Sequence, residues 1–141
     1  MLTVSGLAHV AIRVTDIDRA LDFYINKLGF ERLMHLDRDD KLWLVYLRVT
    51  DNQFVEIFLD GVGARAPDAD ATGYNHLCLS VPDIETSVAE LKAAGIDLSR
   101  PKVLGIDGNW QCWIEDPDGH RIEIMQMMPD SMQSRAIAAR N

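Results

Sequence analysis

The sequence predicts an α+β fold built from two copies of one βαβββ unit, and three observations predict it. "AHVAIRVTDID" at 8–18 returns as "NHLCLSVPDIE" at 75–85, each time a strand running into the start of a helix. The offset is constant: 76 − 9, 83 − 16 and 123 − 56 all equal 67, the mark of an internal duplication. Each copy is then followed by three segments of alternating apolar and polar residues broken by turn residues.

In the first copy "LAHVAIRV" (7–14) has the period of a strand and "TDIDRALDFYINKLGF" (15–30) that of a helix. Asp16 or Asp18 is suited to cap that helix, Ala20, Leu21, Tyr24 and Leu28 form its apolar stripe, and Gly29 ends it. "ERLMHLD", "KLWLVYLRVT" and "NQFVEIFL" read as strands, with "RDD" and "TDN" as turns. In the second copy "NHLCLSV" is a strand, "DIETSVAELKAAG" a helix closed by Gly95, and "KVLGI", "WQCWIED" and "HRIEIMQM" are strands, the last two joined by the tight turn "DPDGH". The organisation expected is a single domain over 1–141, with module 1 at 5–60, a linker at 61–73, module 2 at 74–128 and a tail at 129–141. Linker and tail read as loose.

Composition narrows the function. With 14 Lys+Arg against 22 Asp+Glu the formal charge is −8, and no basic cluster interrupts it, so nucleic acid is not an expected partner. No apolar run approaches the length of a membrane span, and the N-terminus lacks the pattern of a secretory signal. The two cysteines, Cys78 and Cys112, make no disulfide framework and suit a reduced, cytoplasmic protein.

Strand parity places the chemistry. Val10, Ile12 and Val14 share one face of the first strand, and His9, Ala11 and Arg13 the other. In the second copy Leu77, Leu79 and Val81 oppose His76, Cys78 and Ser80. On the closing strands Val55, Ile57 and Leu59 oppose Phe54, Glu56, Phe58 and Asp60, while Ile122 and Ile124 oppose Arg121, Glu123 and Met125. A face carrying His, Glu and Arg makes a poor dry core and a good cavity wall. A lone His or Glu there is ordinarily just a solvated side chain. Here both His–Glu pairs keep the same spacing, 56 − 9 = 47 and 123 − 76 = 47, inside a repeated scaffold. His9, Glu56, His76 and Glu123 are therefore the expected ligands of one divalent metal per site, an N/O set that accepts Ni, Co, Zn, Mn or Fe. Phe54, Phe58 and Met125 are expected to supply the apolar part of the pocket. His35 and His120, beside turns, are expected to face solvent. For Trp110 and Trp113 core packing is weighed above substrate stacking, with a place for one of them at the pocket's edge left open, and Cys78 is expected to be a small wall residue rather than a nucleophile.

The paired modules, "HVAIRVTDIDRALDFYINKLGF" and the closing "EDPDGHRIEIMQ" resemble the vicinal oxygen chelate superfamily, the glyoxalase/extradiol-dioxygenase/bleomycin-resistance group, across roughly residues 5–128. That resemblance implies sheets of an incomplete eight-stranded barrel, and a homodimer whose sites combine modules from different subunits. Limited burial in a half-module of about 55 residues points the same way. Within the superfamily the His-Glu-His-Glu order is similar to that of the glyoxalase I (lactoylglutathione lyase) branch. Arg13, four residues after the first His, matches the arginine that holds a glutathione carboxylate there. Two departures weaken the link to glutathione. Asp60 stands where that branch usually has Asn, and Thr72 and Tyr74 leave no basic residue ahead of His76.

The chemistry implied is proton removal beside a metal-bound carbonyl, through an enediolate, on a small carbonyl or thiohemiacetal substrate. Glu123 is the expected main base, Glu56 a ligand or second base on the opposite face, and Arg13 either an anchor for an anionic group or the partner of Asp60. The rival readings are an epimerase or isomerase of an α-carbonyl acid, and a non-catalytic protein that sequesters a small molecule.

Overall fold

In a computed structural model that describes residues 1–140, each copy of the repeat forms its own four-stranded mixed sheet. The first contains β1 (His9–Arg13), β2 (Glu31–Arg38), β3 (Lys41–Thr50) and β4 (Gln53–Phe58), in the order β1-β4-β3-β2. The second repeats it with β5 (Leu77–Ser80), β6 (Arg100–Leu104), β7 (Trp110–Glu115) and β8 (Arg121–Gln126), in the order β5-β8-β7-β6. In each sheet the first and last strands pair in parallel, and the remaining neighbours are antiparallel. A parallel pair needs a long crossover, which the helix and the two intervening strands supply. The chain divides into two units, Met1–Ala64 and one beginning at Arg65, so the division falls inside the expected linker.

The expected apolar faces are the buried ones. Val14, Val45, Leu47, Val55 and Ile57 are fully buried in the first unit, and Cys112, Ile114, Ile122 and Ile124 are buried in the second. Burial of each such aliphatic side chain stabilises its unit by about 1.5–3 kcal/mol. Alternation along β1 follows the predicted parity, with Val10 and Ile12 partly covered and His9, Ala11 and Arg13 exposed.

The two helices begin alike and end differently. Asp16 accepts the Arg19 N–H at 3.0 Å to cap α1 (Ile17–Leu21), and Asp83 accepts the Thr86 N–H at 2.8 Å to cap α2 (Ile84–Ala93). From cap to terminating glycine there are 29 − 16 = 13 residues in the first copy and 95 − 83 = 12 in the second. The extra residue is absorbed by a π-helical turn at Asp22–Lys27, which continues α1 and differs from the single helix expected over 15–30. Leu28 N–H bonds Phe23 O, five residues back, and Phe30 N–H reaches six back to Tyr24 O, whereas Ile96 N–H reaches only five to Leu91 O. Gly29 and Gly95 both take positive φ, 78° and 69°, the left-handed conformation that ends a helix cheaply only at glycine. The residues that follow them, Phe30 and Ile96, return to the core.

Three expectations are corrected. The tail is not loose throughout: Met132–Ala138 forms α3, capped by Ser131 on the Ser134 N–H at 3.1 Å. Its Ala, Gln, Met and Arg content favours helix, but seven residues are marginal alone. The Met132 N–H to Asp107 O bond at 2.7 Å and the Ser134 hydroxyl to Met128 O bond at 2.8 Å dock it. The linker is likewise tied down. Arg65 pairs with Glu115 at 3.0 Å, Ala66 N–H bonds Asp118 O at 2.7 Å, and Arg121 Nη1 donates to Pro67 O at 2.8 Å. His120 is not simply solvent-facing: it is partly buried and bonded to the buried Asp116 in the β7–β8 turn.

Candidate functional site

Register carries the duplication down to single side chains. Across the first sheet Ala11, Glu56 and Tyr46 stand opposite one another on β1, β4 and β3, and across the second Cys78, Glu123 and Trp113 do so on β5, β8 and β7. Each position steps by the repeat offset, 78 − 11 = 123 − 56 = 113 − 46 = 67. Directly opposed residues share a face, so both rows lie on the face turned away from the apolar core.

In the first unit His9 Nε2 is 3.5 Å from Glu56 Oε2, with the Glu56 side chain 8% exposed and that of His9 44%. The Tyr46 ring meets His9 edge-on at 6.2 Å, and its hydroxyl donates to the Glu56 carboxylate, which holds the phenol above its ordinary pKa. In the second unit the pair is closer: His76 Nε2 is 3.1 Å from Glu123 Oε2. The far ring nitrogen, Nδ1, lies 2.9 Å from Asn75 Oδ1, and Trp113 packs edge-on against the imidazole at 4.8 Å. Cys78 borders Glu123. Local desolvation, and then the neighbouring carboxylate, push its thiol up to about 12, which disfavours a thiolate there.

The structure thus joins His9 to Glu56 and His76 to Glu123, each within its own unit. Among the described residues no three His, Cys, Asp or Glu side chains gather as a metal-binding group. The donor set itself fits a borderline divalent cation: each pair presents an imidazole Nε2 and a carboxylate oxygen side by side, with no thiolate.

The other expected site residues surround these pairs. Phe54 stands opposite His9, and Phe58 opposite Arg13, whose guanidinium lies 5.2 Å from the Phe58 ring centre. Arg13 donates through Nη1 to Leu59 O at 2.6 Å, and among the described residues it forms no ion pair with Asp60, which is exposed just beyond β4. Met125 is partly buried opposite Ser80 on β5 and Gln111 on β7. Arg121 shares the Glu123 face, but its guanidinium is engaged with the carbonyls of Pro67 and Asn75.

Sequence reasoning missed Tyr46 and Asn75. Of the two places left open for Trp113, the pocket's edge is the one it takes, packed on the ligand-type His76; its step of 67 from Tyr46 puts both aromatics beside a paired Glu. Asn75 had no such signal, because Ala8 holds the matching place in the first copy.

Residues 6–124 match the Glyoxalase/Bleomycin resistance protein/Dioxygenase superfamily, and the chain belongs to that family. It is 28% identical to the lactoylglutathione lyase of Pseudomonas aeruginosa, over 84% of this chain and 80% of that protein. It is 29% identical to an Arabidopsis thaliana lactoylglutathione lyase over 86% of this chain, but spans only 44% of that longer protein. Among solved structures, a glyoxalase family protein from Enterococcus faecalis superposes with a TM-score of 0.76 at 32% identity, over 86% of this chain and 97% of that one. The fold class read from the sequence is therefore the fold of the molecule.

Proposed function

We propose that the protein is a divalent-metal-dependent lyase/isomerase of the glyoxalase I type, acting on a small carbonyl or thiohemiacetal substrate. The observation that supports this most strongly is the doubled pair, an imidazole Nε2 beside a carboxylate in each module, at 3.5 Å and 3.1 Å. A binder that only sequesters a molecule has no use for two proton-accepting carboxylates next to two imidazoles. Relatives named lactoylglutathione lyase add weight to the reading.

In this proposal His9, Glu56, His76 and Glu123 together hold one cation, Ni, Co, Zn, Mn or Fe, with the two modules brought together in a homodimer. When bound, such an ion stabilises negative charge developing on a substrate carbonyl oxygen, a contribution of several kcal/mol. Glu123 takes the proton from the carbon beside that carbonyl and returns it to the neighbouring carbon. Glu56, held by Tyr46, serves as ligand or second base. Phe54, Phe58 and Met125 exclude water from the reacting carbon, and Asp60 borders the pocket near the anionic end of the substrate. Arg13, which forms no ion pair with Asp60, keeps donors for that end. Two unpaired cysteines favour a reducing, cytoplasmic setting.

The test is metal analysis of the purified protein, followed by turnover of a 2-oxoaldehyde hemithioacetal formed with glutathione or with another thiol. Glu123→Gln should abolish turnover and leave most of the metal bound; full activity in that variant overturns the assignment of the base. Sizing chromatography should give a dimer, and a fully active monomer overturns the assembly.

A further inference from the structure

We propose that Asn75 is a positioning residue: it holds His76 in the Nδ1–H tautomer and so keeps the Nε2 lone pair free for the metal. The Asn75 amide has only one reading that satisfies its neighbours. Nδ2 lies 2.8 Å from Ala69 O, a pure acceptor, so that end is the NH₂ donor. Oδ1 then faces His76 Nδ1 at 2.9 Å, and an oxygen there requires the ring nitrogen to carry the hydrogen. Nε2 is then the nitrogen left for the metal, and it faces Glu123 Oε2 at 3.1 Å, a contact that a shared proton or a bound cation can bridge.

The amide is itself held from two sides. Arg121, two residues ahead of Glu123 on β8, donates to the Asn75 backbone carbonyl and, at 2.8 Å, to Pro67 O. Residues 67–75 therefore form a strap tied at both ends to the strand that carries Glu123, and Asn75 is where the strap meets the ligand. His9 has no counterpart: Ala8 occupies the equivalent position, the His9 ring is more exposed, and its Nε2 is farther from its carboxylate. The second pair is the preorganised half of the centre.

Without Asn75 the favoured tautomer reverses. The hydrogen moves to Nε2, where Glu123 accepts it, and the metal must then displace it. The inference rests on His76 being a metal ligand, so the experiment separates the two. In the metal-free full-length protein, long-range ¹H–¹⁵N spectra above the imidazole titration should show His76 as the Nδ1–H tautomer in wild type and as Nε2–H in Asn75→Leu. The His9 signals should stay unchanged as the internal control. Asn75→Asp keeps an acceptor on Nδ1 and should retain the wild-type tautomer, a rescue that a merely structural role would not show. Zn²⁺ affinity, read by competition with a chelator, should fall about 10- to 100-fold in Asn75→Leu and much less in Asn75→Asp. An unchanged tautomer in Asn75→Leu overturns the positioning role. A reversed tautomer with unchanged Zn²⁺ affinity overturns His76 as a ligand and leaves the tautomer assignment intact.

Discussion

Replacing His120 by alanine tests the turn that sets the β7–β8 register, and hence the placement of Trp113 opposite Glu123. Asp116 is fully buried; its Oδ1 accepts the Asp118 N–H at 3.0 Å and the His120 N–H at 2.8 Å, and its Oδ2 lies 2.9 Å from His120 Nδ1. The hydrogen bond to Asp116 raises the His120 pKa, burial opposes it, and the charges of Asp116 and Asp118 add to the rise. Stripping a buried carboxylate of its partner costs about 3–5 kcal/mol when nothing else compensates it. Here two backbone donors stay in place in His120→Ala, so the loss falls to that of one hydrogen bond to a charged group, about 2 kcal/mol. For a chain of this size that is a fall of roughly 5 °C in Tm. The sign with pH follows from the raised pKa. The ionised imidazole's contribution is fully present below the unfolded value of about 6.5 and is lost as pH rises through the folded value. Urea unfolding of wild type and His120→Ala should therefore show the full gap at pH 5.5 and a gap near 1 kcal/mol at pH 9, where only a neutral N–H is left to donate. A gap that is constant, or that widens toward pH 9, refutes the reasoning.

Tyr46→Phe removes the hydroxyl that Glu56 accepts and should lower kcat/KM about three- to tenfold with little change in Tm; an unchanged kcat/KM overturns the role given to that bond. Arg13→Ala should raise KM for an anionic hemithioacetal about tenfold and leave kcat within twofold, whereas equal loss of kcat and kcat/KM would show that Arg13 acts on the reacting centre. Cys78, with its thiol near 12, is only about one part in ten thousand thiolate at pH 8. Iodoacetamide followed by peptide mass analysis should label it slowly, and rapid stoichiometric labelling would refute the assigned environment.

The sheets were legible because a strand's parity survives duplication: the alternation in "HVAIR" and "RIEIM" points the same residues inward that the structure buries. The His–Glu pairs were legible for the same reason, as repeated spacing is information that a single pair lacks. What was not legible depends on partners distant in sequence or on a single unmatched residue. The π-turn was visible only as one extra residue between Asp16 and Gly29. The strap and α3 are polar or small in composition and read as loose, because their order comes from backbone carbonyls meeting Arg121, Asp107 and Met128 rather than from buried side chains. His120 was misjudged since its partner Asp116 is buried by a turn whose path no periodicity describes.

The residues that break the repeat set the surroundings of those that keep it. Offset by 67, Ala8 becomes Asn75, Ala11 becomes Cys78 and Tyr46 becomes Trp113, and all three changes fall around the ligand-type side chains. Glu56 has a phenol beside it as a hydrogen-bond donor. Glu123 receives no such donor from Trp113, which packs on His76 instead, and its sulphur neighbour is a weak donor. The two modules therefore surround equivalent carboxylates with different neighbours, and the separate roles proposed for Glu56 and Glu123 rest on that asymmetry between the copies.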